Sequence, residues 1–327
     1  MLIQYSEVYL GMKYRVANKQ GSYDGGPMYF LPRAFKGNWI APVICFLLCI
    51  YGVEIFMFNV MADSISTNWN INEYLVVAIL LIGILVVAKG GINRVGEVCS
   101  ALIPLFIVLY VFMALWVIFQ HAQELPGIFQ SIFDGAFSPQ AAKGGFLGST
   151  VMVTISMGLS RGAYSGDIGV GYTSVIYAES GTTKIEKQAS MSIIGIFIDT
   201  FLICTLSILV VLITGYWNSD TDVALMVQEA LGLHFPCMHL FMPIFLFLLG
   251  FTTILAYFVV GAKCAQFISK KWGPPIYYTY ACIVLPVFAF IDATQAFVIM
   301  SLSGACLLIV NLTGIFFLRK EVRFSLD

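Results

Sequence analysis

The chain has 327 residues, 59% of them hydrophobic and 11% charged, with a formal net charge of −1 at pH 7. Soluble domains carry roughly 25% charged residues, so this composition excludes a water-soluble globular protein, and the near-neutral charge gives no basic footprint for nucleic acid. The apolar runs are long and continuous rather than alternating, which selects membrane helices over a barrel.

Residues 1–12 lack the basic segment and apolar core of a signal peptide and read as the end of a helix that begins upstream of Met1. The basic loop Lys13–Asn38 follows, with Gly25-Gly26-Pro27 as a turn and a short interfacial helix expected against anionic headgroups. Eight complete spans are then predicted, at roughly 39–62, 74–90, 99–119, 146–178, 190–214, 240–262, 276–291 and 293–318. Between the third and fourth, Glu124–Gly145 carries Pro126, Phe129, Phe133, Phe137 and Pro139 and reads as a loop that covers the bundle top or folds over a site as a lid. The last two spans share a tight turn at Asp292. The eight cysteines follow no disulfide or zinc spacing and read as small packing residues.

The fourth span is broken. Apolar sequence runs in from Phe146 and out to Ala178, but Arg161-Gly162-Ala163-Tyr164-Ser165-Gly166-Asp167-Ile168-Gly169-Val170-Gly171 places two opposite charges and four glycines near its middle. Unpaired backbone groups and charges each cost several kcal/mol in hydrocarbon. A glycine-interrupted membrane segment therefore points to a transporter's binding site.

Apart from Lys143 and Arg161, every lysine and arginine falls in alternate loops: Lys13 to Lys36, Lys89 with Arg94, Lys184 with Lys187, Lys263 to Lys271, and Arg319 to Arg323. The positive-inside rule makes those loops, and the C-terminus, cytoplasmic. From the broken span onward there are five spans entered from outside, so a preceding five-span copy has inverted topology. Residues 1–145 then form a first repeat lacking its first helix, 146–318 the second repeat, and 319–327 a cytoplasmic tail. The expected fold is an all-α polytopic membrane protein of the leucine-transporter-type 5+5 inverted-repeat class. Its missing N-terminal helix would come from a separate or upstream coding segment.

Several pieces then carry a family resemblance: Tyr5-Ser6-Glu7, Lys13-Tyr14-Arg15, Gly25-Gly26-Pro27-Met28-Tyr29, Gly90-Gly91-Ile92, Ala136-Phe137-Ser138-Pro139, Arg161-Gly162, Phe197-Ile198-Asp199-Thr200 and Phe251-Thr252-Thr253-Ile254-Leu255. In this order they resemble the alanine or glycine:cation symporter family over essentially the whole length. The resemblance implies sodium-coupled uptake of a small neutral amino acid (alanine, glycine or D-alanine) across a bacterial cytoplasmic membrane, with sodium as coupling ion and no organic cofactor. The chain departs from the family at the break, where Gly166-Asp167 replaces Asn-Glu. It departs again in the first full span, which carries Glu54, and after the Thr-Ile-Leu run, where Ala256-Tyr257 replaces Gly-Trp.

At the break, freed N–H groups can hold a substrate carboxylate and freed carbonyls a cation or ammonium. The expected substrate-binding residues are Gly162, Tyr164, Ser165, Gly166, Asp167 and Gly169, with Tyr257. A kink packed within protein is the plainer alternative, and an Arg161–Asp167 pair would satisfy both charges without a ligand. The resemblance places Thr252 and Thr253 on the helix that supplies two hydroxyls to a sodium site in this architecture, against the alternative that each bonds its own i−4 carbonyl. Arg161, Glu54 and Asp199 are candidate gate or coupling residues. Glu54 invites proton coupling, with a neutral, hydrogen-bonded glutamate as the alternative. Asp199 reads first as packing between helices and second as part of an ion path.

The run Gly158-Leu159-Ser160-Arg161-Gly162 matches the nucleophile pattern G-x-S-x-G but has no histidine at its depth, since His121, His234 and His239 fall in outward loops. The chain is therefore read as a transporter and not an enzyme. His234, Cys237 and His239 match no common metal spacing and read as a loop. A truncated or split, non-transporting remnant is the second functional class, and a channel a third.

Overall fold

The structure is a computed structural model that describes residues 1–18, 23–88, 92–137, 158, 166–219, 221 and 225–324. Helix α1 (Leu2–Lys13) is buried from Gln4 to Met12, as a helix enclosed on all sides must be. A small antiparallel hairpin follows, β1 (Val16–Ala17) with β2 (Tyr23–Asp24). Then comes α2 (Pro27–Ala34), with proline at its first position, where no N–H is needed. The short helix expected in this loop is present. Pro27, Met28, Phe30 and Leu31 are buried, because Gly314 of the last helix leaves a place that Leu31 fills.

The first full span consists of two helices, α3 (Ile40–Tyr51) and α4 (Ile55–Trp69). They meet at Gly52-Val53-Glu54, where Glu54 takes a left-handed conformation (φ 49°, ψ 57°). The sequence reads there as one continuous span. The break goes with close packing: a Cβ on Gly52 would lie 3.0 Å from Tyr277 Oη and 3.1 Å from the Tyr257 carbonyl. Helix α5 (Glu73–Val86) starts at Asn72, whose side chain accepts the Tyr74 N–H at 2.9 Å. Its 14 residues span about 21 Å, less than the roughly 30 Å of a hydrocarbon core. Helix α6 runs Ile92–Gln120.

The segment Glu124–Gly145 is not simply a loop, since it contains α7 (Leu125–Phe137). The signal is in the sequence: Leu125, Ile128, Phe129, Ile132 and Phe133 recur at helical spacing, which outweighs the loop-like Pro126. Of the broken span, the described parts are residue 158, a turn over 166–171 and α8 (Tyr172–Ala178). Next come α9 (Ile185–Ile196), a π-helical turn (Phe197–Ile203) and α10 (Cys204–Thr214), which run on continuously. Helix α11 (Met226–Gly232) precedes the long α12 (Met238–Ile268), then α13 (Gly273–Ala289) and α14 (Ala293–Phe317). The turn at Asp292 is a helix cap, its Oδ1 accepting the Thr294 N–H at 2.7 Å.

The protein is thus a mostly helical membrane protein. Among the described residues five helices are long and apolar enough to cross a bilayer: Ile40–Trp69, Leu102–Gln120, Ile185–Thr214, Met238–Ile268 and Ala293–Phe317. Helix α12 packs against α3 and α4, and α1 packs against α8 and α9. Contacts between loops follow the alternation of the basic residues. Lys13 meets Glu321, Lys263 meets Asp24 and Glu179, and Arg15 meets the 178–182 carbonyls. The acid-rich loops join one another instead, through Asn68–Gln228, Trp69–His239 and His121–His234. Where Lys13 and Tyr14 grip Glu321, they hold its carboxyl below the usual glutamate range.

Candidate functional site

The break is built on three residues with positive φ: Asp167 (49°), Gly169 (82°) and Gly171 (96°). Glycine takes such angles without a Cβ penalty, and for aspartate they are uncommon. The turn places the Asp167 carboxylate between the first full span and α12. Tyr51 donates to its Oδ1 at 2.6 Å, and Tyr257 donates to its Oδ2. Tyr172, which opens the second half-helix, stacks on Tyr257 with ring centroids 3.9 Å apart, and Tyr51 lies 5.6 Å from Tyr257 on another side. The result is an aspartate held by two phenols and walled by three buried tyrosine rings.

A second carboxylate fixes the far side of the turn. Glu7 of α1 is fully buried. Its Oε1 accepts the Ser174 N–H at 3.2 Å and its Oε2 accepts the Asn311 amide at 3.3 Å. The same Asn311 nitrogen donates to the Gly169 carbonyl at 2.9 Å. One of the carbonyls freed by the break is therefore held by α14, while α1 satisfies an N–H that the half-helix start leaves open.

The loop Gly25-Gly26-Pro27 packs on the same half-helix. A Cβ on Gly25 would lie 2.5 Å from Ala178 Cβ, and one on Gly11 2.6 Å from Ser174 Cβ. Cβ atoms on Gly26 and Gly171 would overlap Val175 and Pro27. Residues 171, 174, 175 and 178 share one helix face, and absent side chains opposite them let the backbones meet.

Of the expected substrate residues, Gly166, Asp167, Gly169 and Tyr257 come together here. A Cβ on Gly166 would sit 3.1 Å from Thr200 Oγ1, so the π-helical turn borders the break. Arg161, Gly162, Tyr164 and Ser165 lie outside the described residues, as does the serine of the G-x-S-x-G run. The described partners of Asp167 are tyrosines. Thr252 donates to its own helix, to Leu248 O at 2.8 Å and Leu249 O at 2.9 Å, while its oxygen lone pairs stay available as ligands. Thr253 lies one turn before Tyr257 on the same face. Glu54 is buried at the kink of the first full span. Asp199 lies in the π-helical turn and lines a cavity of about 460 Å³ with Tyr110, Ser207 and Met242, and π-turns inside helices are frequent at functional sites.

The sequence reading missed Tyr51, Tyr172, Glu7 and Asn311 as site residues. Asn311 carried a usable signal, being a polar side chain in mid-span. Glu7 was visible only as part of a family motif.

With this geometry in view, comparison with known proteins is decisive. The pattern of the sodium:alanine symporter family matches residues 1–327. The chain belongs to the sodium:alanine symporter family. It is 30% identical to an uncharacterized transporter of Haemophilus influenzae over 332 residues, covering 98% of this chain and 72% of that protein. It is 28% identical to the uncharacterized transporter YflA of Bacillus subtilis, covering 99% and 70%. It is 26% identical to the sodium/alanine symporter AgcS of Methanococcus maripaludis, covering 98% and 73%. These likenesses make it a multi-pass membrane transporter of an amino-acid symporter family, which is not an enzyme family.

Proposed function

We propose that this member of the sodium:alanine symporter family couples sodium to the uptake of a small neutral amino acid: alanine, glycine or D-alanine. It works by alternating access around the break, within a leucine-transporter-type inverted repeat of which 1–145 and 146–318 are the two parts. It sits in a bacterial cytoplasmic membrane with the basic loops and C-terminus inside. The observation that carries the reading is the left-handed turn at Asp167–Gly171, set against Tyr51 and Tyr257 of two other helices. That turn offers two things an amino acid needs at membrane depth: a carboxylate for the ammonium and aromatic walls for a small side chain. The proposed substrate residues also include Gly162, Tyr164 and Ser165, with Arg161 proposed as gate and Asp199 as part of the ion path.

The proposed sodium ligands are Thr252 and Thr253, hard oxygen donors on the helix of Tyr257, with Thr253 one turn before it. Radiolabelled alanine and glycine uptake into proteoliposomes tests both assignments. Accumulation is expected only under an inward sodium gradient. Thr252→Ala with Thr253→Ala should weaken the apparent sodium affinity on the order of tenfold, the effect of about 1.4 kcal/mol of lost coordination. Accumulation without sodium, or none from the wild-type chain, would sink the reading.

One observation favours proton coupling instead: Glu54 is a buried carboxyl on a left-handed residue at a helix break, and such conformations gather at functional sites. In that case uptake depends on pH and Glu54→Gln flattens the profile. An unaltered pH profile in Glu54→Gln removes it.

A further inference from the structure

At the end of the bundle that carries the basic loops, the second half-helix of the break is tied to two different bodies in two different ways. Toward α1 and the Gly25-Gly26 loop the contact is steric. The glycines leave no gap that a single Cβ could enter, and Arg15 closes the helix end, donating to Ala178 O at 3.1 Å, Ser180 O at 2.6 Å and Thr182 O at 3.0 Å. Its guanidinium is stacked 3.9 Å over the Tyr23 ring. Such close-packed contacts move together or not at all. Toward α12 the described polar contact is ionic. Lys263 Nζ lies 2.6 Å from Glu179 Oε1, just past the end of α8, and 3.1 Å from Asp24 Oδ1 of the hairpin. The three side chains are 24%, 40% and 35% exposed.

We propose that Lys263 is an inner latch. In this view the basic end opens by separating α12 from the unit made of α1, the hairpin and α8, breaking the Lys263 pairs to Glu179 and Asp24 while the glycine-packed contact stays whole. Partly exposed ion pairs suit that role: they are directional enough to set a register and weak enough to break in every cycle. One ammonium bridging two carboxylates, one from each part of the moving unit, also makes closure depend on the hairpin and the half-helix arriving together.

Cys264, the next residue, is fully buried and serves as a reporter that does not require transport. The latch rests on the transport reading above, but its test is independent of uptake. In the full chain, purified in mild detergent with Cys264 as its one cysteine, maleimide labelling should be slow. Lys263→Gln should speed it about fivefold, equivalent to about 1 kcal/mol at 1.4 kcal/mol per tenfold. Glu179→Gln with Asp24→Asn should give the same increase from the other side of the contact, without altering the neighbour of Cys264. Lys263→Glu with Glu179→Lys and Asp24→Asn rebuilds one ion pair with its signs reversed and should return labelling to the slow rate. Unchanged labelling in the first two variants overturns the proposal, as does fast labelling in the rebuilt pair. Loss of the transport reading would show differently, as absent amino-acid uptake in every version while the labelling series keeps its order.

Discussion

Gly171→Ala is expected to cost several kcal/mol and to lower the yield of folded protein sharply. Two penalties meet at this position. The residue has φ 96°, a region that costs roughly 1–2 kcal/mol for a residue with a Cβ. The new methyl would overlap the Pro27 ring, and overpacking of this kind costs about 1–3 kcal/mol or more. Against a total stability of about 5–15 kcal/mol the sum is large. The neighbours cannot give way easily, because Pro27 opens a buried helix and Gly169 is held by Asn311. The check is the thermal-unfolding midpoint in detergent, compared with Gly195→Ala. Gly195 lies within α9 with nothing within 4 Å of an added Cβ, so there alanine should stabilise by up to about 1 kcal/mol through helix propensity alone. Equal midpoints for the two variants would mean that the half-helix does not dock on the Gly-Gly-Pro loop.

The second large effect is expected at Glu7. Glu7→Ala leaves the Ser174 N–H without its acceptor and takes one of two acceptors from the Asn311 amide, in a region shielded from water. Each unsatisfied buried group costs about 1–3 kcal/mol. The loss falls on the start of α8, so the geometry of the break suffers before the rest of the bundle does. Amino-acid uptake should fall at least about tenfold, the change that 1.4 kcal/mol produces, while helical content by circular dichroism stays near wild type. Glu7→Gln keeps an acceptor for Ser174 but can set an amide donor against Asn311, so an intermediate rate is expected. Wild-type uptake from Glu7→Ala would remove the residue from the site.

The contrast between Glu7 and Asp167 shows what could be read in advance. Asp167 stood out because glycines and a charge interrupt an apolar run, a property visible in a window of a dozen residues. Glu7 sits in a helix whose polarity looks ordinary, and its importance comes from Ser174 and Asn311, 167 and 304 residues away. Tyr51 was likewise one of many aromatics, whereas Tyr257 was expected at the site, and the two meet on the same carboxylate. Glu54 was singled out for its charge, yet the kink it occupies was not foreseen. The one helix-weakening residue beside it is Gly52, two positions earlier, and the close approach of Tyr277 and the Tyr257 carbonyl that accompanies the break belongs to other helices. Helix α7 is the opposite case, since a helical spacing of apolar residues is present in the sequence beside Pro126.

By itself the sequence determined the helical membrane class, the alternation of its lysines and arginines between loops, the position of the broken span and the family. All of these follow from local hydrophobicity, charge and glycine content, which act residue by residue on the cost of leaving water. Only the tertiary structure decided which groups satisfy the break, how the Gly25-Gly26-Pro27 loop cradles its second half and where Lys263 finds its partners. A buried polar group is stable only beside a specific partner, and the fold alone brings Glu7 to Asn311, Tyr51 to Asp167 and Lys263 to Glu179.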